Sequence, residues 1–251
     1  MPDKSPIDIS VVIPARDEIE NLPPLLDEIH AALAGRSYEI VVVDDGSTDG
    51  SDDMLAQRMQ HDGRLRMVSN EKSLGKSAGV YIGVRLARGR LVITLDGDGQ
   101  DDPAFFAPML DALQGEGIGL VAGQRTNRHD GWRKSVGSKI ANAVRGRMLG
   151  DNTRDTGCGL KAFRRGAFLD LPYFDNMHRF LPALFLADGW KIAHVDVVNR
   201  PRLHGTSKYG VIDRLMAGLP DLFGVSWIRK RRRRNPMQRL RELNDDVFDR
   251  N

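Results

Sequence analysis

The chain has 251 residues, 41% of them hydrophobic and 28% charged, which excludes a disordered chain and supplies enough apolar material for a sizeable core. Its one cysteine, Cys158, excludes an internal disulfide and a thiolate-built zinc site. The formal net charge of +3 is uneven: residues 225–251 hold nine Lys/Arg and four Asp/Glu, the rest 28 basic and 30 acidic residues, so the basic excess lies in the tail and the body is not patterned to bind nucleic acid.

In chain order, Ile9–Ile13 is a short β-branched run stopped by Pro14 and reads as a buried strand. Glu18–Leu33 carries Leu22, Leu25, Leu26, Ile29 and Leu33 at helical spacing, with Gly35 beyond. Strand Glu39–Val43, helix Ser51–Gln60, strand Leu65–Ser69, helix Lys76–Ala87 and strand Arg90–Leu95 follow. Helix Pro103–Leu113 and strand Ile118–Ala122 complete the series. This rhythm predicts an α/β fold with a mostly parallel sheet covered by helices on both faces.

From Trp132 the rhythm changes. A Lys/Arg-rich helix is expected over Trp132–Met148, then a polar turn Asp151–Gly159, a strand Leu160–Phe163, a helix Arg179–Ala187 and a strand Trp190–Val198. The loop Asn199–Tyr209 leads into an amphipathic segment, Val211–Trp227, and a basic run, Arg229–Arg234. We divide the chain into a main domain, 1–209, and an amphipathic, basic appendage, 210–251. No run approaches the roughly 18–20 apolar residues of a spanning helix. Met1–Asp8 carries acids and prolines where a signal peptide would be basic and apolar. These features predict a cytoplasmic protein that touches the inner face of the membrane peripherally.

Ligands of such sheets bind outside the carboxyl ends of the strands, and the polar clusters fall there. Asp96-Gly97-Asp98-Gly99-Gln100 is the sharpest. Two carboxylates two residues apart can face one cation if the glycines let the backbone turn, and carboxylate and amide oxygens suit Mg²⁺ or Mn²⁺. In Asp44-Asp45-Gly46-Ser47-Thr48-Asp49 a carboxylate can bond a base or ribose, while Ser47 or Asp49 suits the cap of the next helix. Arg202 and Lys208 are candidates for organic phosphate. Asp155 is either a base or orienting group at the acceptor, or a structural acceptor in a glycine-rich turn. Cys158 reads as a packed side chain, since no base is assignable to it. An apolar face of Leu219, Leu222, Phe223, Val225, Trp227 and Ile228 followed by six basic residues suits an anionic membrane surface.

Taken together, Ile13-Pro14-Ala15-Arg16-Asp17-Glu18, Val43–Gly50, Leu74-Gly75-Lys76 and Asp96–Gln100 resemble family 2 glycosyltransferases of the GT-A fold. Asp155–Arg165 and Arg202–Tyr209 resemble the dolichol-phosphate mannose synthase branch, the polyprenyl-phosphate glycosyltransferases. The resemblance spans about residues 8–224 and implies roles. Pro14, Arg16, Glu18, Asp45 and Lys76 fall where the nucleotide sugar is held; Asp96, Asp98 and Gln100 match the metal motif; Arg125 faces the phosphates. Arg202 and Lys208 grip donor diphosphate and acceptor phosphate, and Arg179 meets the acceptor. Arg16 stands where many relatives have Tyr or Asn, Gly97 where Ala is common and Cys158 where Ser is common.

The expected activity is inverting transfer of a mannose- or glucose-type hexose to a polyprenyl or dolichyl phosphate. The expected donors are GDP-mannose, then UDP-glucose or UDP-N-acetylglucosamine. Two other readings stand beside it. A same-fold transferase acting on a soluble glycan or protein hydroxyl would need Asp155 as a true base. A non-enzymatic membrane or nucleic-acid adaptor would need neither Asp96, Asp98 nor Gln100.

Overall fold

The computed structural model describes residues 6–126, 146, 148–201 and 211–231, the side chains of 211–219 excepted. Seven strands form one sheet: β1 (Ile9–Ala15), β2 (Tyr38–Asp44), β3 (Leu65–Ser69), β4 (Leu91–Thr94), β5 (Ile118–Arg125), β6 (Lys161–Arg164) and β7 (Lys191–Val197), in the order β3-β2-β1-β4-β6-β5-β7. All pairings are parallel except those of β6, which runs antiparallel between β4 and β5. The sheet is thus mostly parallel, as the sequence predicts.

The helices are α1 (Leu22–Ala32), α2 (Ser51–Met59), α3 (Lys76–Leu86), α4 (Phe106–Leu113), α5 (Arg165–Leu169), α6 (Leu181–Ala187) and α7 (Val211–Arg231). Two helices start later than the apolar spacing suggests. The helix expected from Glu18 begins at Leu22, because Pro23 and Pro24 lack amide hydrogens and fit only a first turn. The helix expected from Arg179 begins at Leu181, with Pro182 in its first turn and a 3₁₀ turn over Met177–Arg179 before it. The short helix α5 was not expected. Most of the predicted Trp132–Met148 helix lies outside the described residues.

Strand residues alternate between two cores. Val11, Ile13, Ile40, Val42 and Ile93 pack with α1 and α4, whereas Val12, Val41, Val43, Val92 and Phe163 pack with α3, α5 and α6. Both faces are covered, which is why the strands read as unbroken apolar runs. Helix α3 approaches β1 closely: a Cβ on Gly79 would lie 2.9 Å from the Pro14 Cβ. That approach brings Lys76, its first residue, to the carboxyl edge of the sheet. Helix α7 docks on the body through Leu222 and Val225, which are buried in the second core.

Candidate active site

Two loops interlock at the ends of β1 and β2. The Asp17 amide donates to Ser47 Oγ at 2.9 Å, the Glu18 amide to Ser51 Oγ at 3.2 Å and the Ile19 amide to Asp49 Oδ2 at 3.0 Å. The Thr48 amide returns a bond to Asp17 Oδ1 at 2.8 Å. Asp17 takes a left-handed backbone (φ 53°) to reach this arrangement. Ser47 donates to Asp44, and Asp49 accepts from the Ser51 amide at 3.0 Å. The capping position of α2 is Gly50 (φ 89°), so Ser47 and Asp49 mainly join the two loops. Arg16 lies beside Asp17, and Glu18 accepts from Asn21 Nδ2 at 2.6 Å.

Asp45 is buried and answers the residue 70–75 loop. It accepts from Asn70 Nδ2 (3.0 Å), Ser73 Oγ (2.6 Å), the Leu74 amide (2.8 Å) and the Gly75 amide (2.9 Å). Burial pushes its carboxyl up, but these hydrogen bonds together outweigh burial and hold it below the ordinary value. Asp45 therefore fixes the loop that delivers Lys76.

The acidic loop after β4 is held from several sides. Lys76 Nζ lies 2.7 Å from Asp96 Oδ2 and 2.5 Å from Oδ1. Burial raises the Asp96 carboxyl, while Lys76, then Lys161 and Arg125, bring it below the usual carboxylate range. Asp98 accepts from the Gln100 amide at 3.2 Å, and Gln100 Nε2 donates to the Arg200 carbonyl at 3.2 Å. Arg200 ties this loop to α1 and to the 3₁₀ turn that follows it, pairing with Glu28 at 2.6 Å and Asp102 at 2.8 Å. Asp101, which sequence reasoning passed over, is buried and accepts from the Asp96 amide at 3.3 Å. Burial, then the Asp96 charge, raises its carboxyl.

Gly159 fits here because it has no side chain: a Cβ would lie 2.6 Å from an oxygen of both Asp96 and Asp101. Pro14, Lys76, Thr94, Asp96, Gly159, Lys161 and His178 line one narrow cleft that opens to solvent. Lys161 and His178 fall within stretches that carry the family resemblance, but the sequence gives neither a role of its own. Lys161 is the first residue of antiparallel β6 and lies opposite Thr94, so it enters the carboxyl edge from the reverse direction.

Arg125, the last residue of β5, forms a two-pronged pair with Asp155, Nε to Oδ2 at 2.5 Å and Nη2 to Oδ1 at 3.0 Å. Asp155 also accepts from the Gly157 amide at 3.1 Å. The structure joins two residues that the sequence treated apart. Cys158 is buried, and burial, then Asp101, pushes its thiol up to about 12, which agrees with a packed side chain. Arg179 sits in the 3₁₀ turn before α6, where its charge acts on Asp221 of α7. Arg202 and Lys208 lie outside the described residues.

Among the described residues no group of three or more His, Cys, Asp and Glu forms a metal cage. The donor chemistry nonetheless fits a hard divalent cation: Mg²⁺ beside a diphosphate uses one or two carboxylates, and Asp96 and Asp98 offer two.

The acidic loop and the lysine-lined cleft lie at the carboxyl edge of a mostly parallel sheet, where ligands of such sheets bind, and the fold matches GT-A-type glycosyltransferases. The chain belongs to glycosyl transferase family 2, whose sequence model matches residues 10–171. It is 34% identical over 228 residues to the dodecaprenyl-phosphate galacturonate synthase of Rhizobium johnstonii, covering 87% of this chain and 66% of that protein. It is 33% identical over 207 residues to the undecaprenyl-phosphate 4-deoxy-4-formamido-L-arabinose transferase of Aeromonas hydrophila, covering 81% and 63%. The chain spans just under two thirds of the length of these curated relatives. Among solved structures it resembles the glucosyl-3-phosphoglycerate synthase of Mycobacterium tuberculosis in complex with Mn²⁺ and UDP-glucose, with a TM-score of 0.63, 26% identity and coverage of 87% and 79%.

Proposed function

We propose that the chain transfers a sugar from a nucleoside diphosphate to a polyprenyl phosphate at the cytoplasmic face of a membrane, with inversion at the anomeric carbon. The observation that carries this reading is the meeting of Asp96, at the head of the acidic loop, with Lys76 and the buried Lys161 in one cleft, in a chain whose relatives are prenyl-phosphate sugar enzymes. The sugars of those relatives are galacturonate and a formamido-arabinose, and the structural neighbour holds UDP-glucose. We therefore place UDP-linked sugars ahead of GDP-mannose.

An acceptor phosphate oxygen attacks the anomeric carbon, and the bond from that carbon to the diphosphate breaks. Asp96 and Asp98, with Gln100, would hold a divalent ion, Mg²⁺ or Mn²⁺, which supplies positive charge against the departing diphosphate. Lys76 balances Asp96 and adds a cation at the same edge. Arg202 and Lys208 complete the phosphate grip. A phosphate monoester is already ionised near neutral pH, so the step needs no strong base. Asp155 accordingly holds Arg125 in place. The same pairing counts against transfer to a soluble hydroxyl, which would need Asp155 as a base.

Helix α7 supplies the membrane contact. It buries Leu222 and Val225 in the body but leaves Phe223 66% and Trp227 63% exposed, just before the basic run. Aromatics followed by cations suit an anionic lipid surface. No helix among the described residues is long and apolar enough to cross a membrane.

The test is transfer to undecaprenyl phosphate in detergent, with Mg²⁺ or Mn²⁺ and a panel of nucleotide sugars, reading the organic phase by mass spectrometry. A metal-dependent lipid-phosphate sugar is expected. Donor consumption without a lipid product would move the acceptor to another class.

A further inference from the structure

We propose that Lys161 is a substrate-binding residue whose ammonium holds an anionic oxygen group, either a carboxylate on the transferred sugar or a phosphate. The proposal takes the identity of the substrates from the glycosyltransferase reading, but the site stands on its own geometry.

Lys161 is 4% exposed. Its hydrogen-bond partner among the described residues is one neutral group, the Cys158 carbonyl. No carboxylate of those residues stands within the 4.0 Å of an ion pair with it; the Asp96 carboxylate nearby is engaged by Lys76 at 2.5 Å. Burial makes this ammonium costly and pulls it below its ordinary value, a shift that the charges of Asp96 and Asp101 oppose without pairing with it, and a neutral amide would serve the Cys158 carbonyl at lower cost. The charge therefore has a use that the fold alone does not supply.

The surroundings point to that use. Lys161 lines the cleft beside Asp96, Thr94 and Gly159. His178 lines the same cleft. Ser77 Oγ accepts the His178 amide at 3.2 Å and lies 2.6 Å from its Nδ1, which fixes the ring at the cleft wall. Burial, then the charges of Lys76 and Lys161, pushes the imidazole well below its ordinary value, so it is neutral. The wall of the cleft thus presents an ammonium and a neutral imidazole. That pair suits carboxylate or phosphate oxygen and gives a neutral hexose hydroxyl no charge to answer.

The experiment uses the full chain with Lys161→Met and Lys161→Gln, the second keeping a donor for the Cys158 carbonyl. Calorimetry measures affinity for UDP-galacturonate, UDP-galactose, UDP and undecaprenyl phosphate in detergent, and thermal melting reports the fold. At least one anionic ligand is expected to lose about tenfold or more in affinity in both variants, with an unchanged or higher Tm. A loss confined to UDP-galacturonate identifies a sugar carboxylate. An equal loss for both UDP-sugars and UDP identifies the donor diphosphate, and a loss confined to undecaprenyl phosphate identifies the acceptor. Unchanged affinities overturn the proposal, as does a Tm that drops in the Met variant and recovers in the Gln variant without any change in binding. Wild-type protein that binds none of the four overturns it too. Lys161-dependent binding without sugar transfer would sink only the activity proposed above.

Discussion

The two edges of the sheet bury charge in different ways. At the amino-terminal edge Glu39 is closed off by its own surroundings: it accepts from Ser10 Oγ at 2.8 Å, Arg66 Nη1 at 2.7 Å and the Arg88 amide at 2.6 Å. Ser10 is occupied in turn by the Gly89 amide at 2.9 Å. At the carboxyl edge Asp96, Asp101, Lys76 and Lys161 share one small volume, and only Lys76 and Asp96 form an ion pair among them. A closed network fixes the backbone, whereas an open one keeps charge available for a ligand. The comparison predicts that variants at the two edges fail differently.

The largest effect is expected at Asp98. Asp98→Asn keeps the acceptor that holds the Gln100 amide but removes the charge. Turnover should fall about 100–1000-fold, as when one preorganised electrostatic group is lost, while stability stays within about 0.5 kcal/mol. Steady-state transfer and thermal melting read the two quantities, and a large drop in Tm would place Asp98 with the closed networks.

Asp155→Asn tests the pair that bridges both behaviours. It strands a guanidinium only 20% exposed and should cost about 3 kcal/mol of stability by urea denaturation. Turnover of the folded fraction should fall by less than about 100-fold, with an unshifted pH profile; a general base would cost up to about 10⁴ and remove the acidic limb. Glu39→Gln should cost less, about 2 kcal/mol, because Arg66 is 30% exposed and regains water. Its turnover per folded molecule should equal wild type.

The same contrast explains what the sequence revealed. The Asp96–Gln100 loop was legible because it follows an unbroken apolar strand, and short-range signals fix both. Lys161 was not, because its importance comes from where β6 inserts. The strand itself is expected over Leu160–Phe163, but its antiparallel insertion between β4 and β5 is a long-range pairing that no local pattern encodes. Asp45 was legible as a site residue, but its four donors arrive from the residue 70–75 loop, across a helix and a strand. The late starts of α1 and α6 were available in Pro23, Pro24 and Pro182, where apolar spacing alone misled.

A smaller effect separates the buried and exposed faces of α7. Trp227→Ser removes an exposed aromatic and should weaken binding to phosphatidylglycerol vesicles about tenfold, leaving Tm unchanged. Val225→Ser, two residues away on the opposite side of the helix and 1% exposed, should lower Tm through the core instead. Equal vesicle affinity in Trp227→Ser would remove the helix from the membrane contact.

The smallest effect is expected at Cys158, which lies at the open edge but behaves as part of the closed one. Alkylation requires the thiolate, and burial followed by the Asp101 charge pushes the thiol up to about 12. At pH 8 the folded protein should therefore resist iodoacetamide, and mass spectrometry should show labelling only as urea unfolds the chain. Raising the pH toward 9 should leave the native protein protected, because the thiol remains protonated well above that range. Rapid labelling of native protein at pH 8 would mean that the carboxyl edge opens locally. That result would extend its open character from the charged cleft to the packing of the Asp155–Lys161 turn.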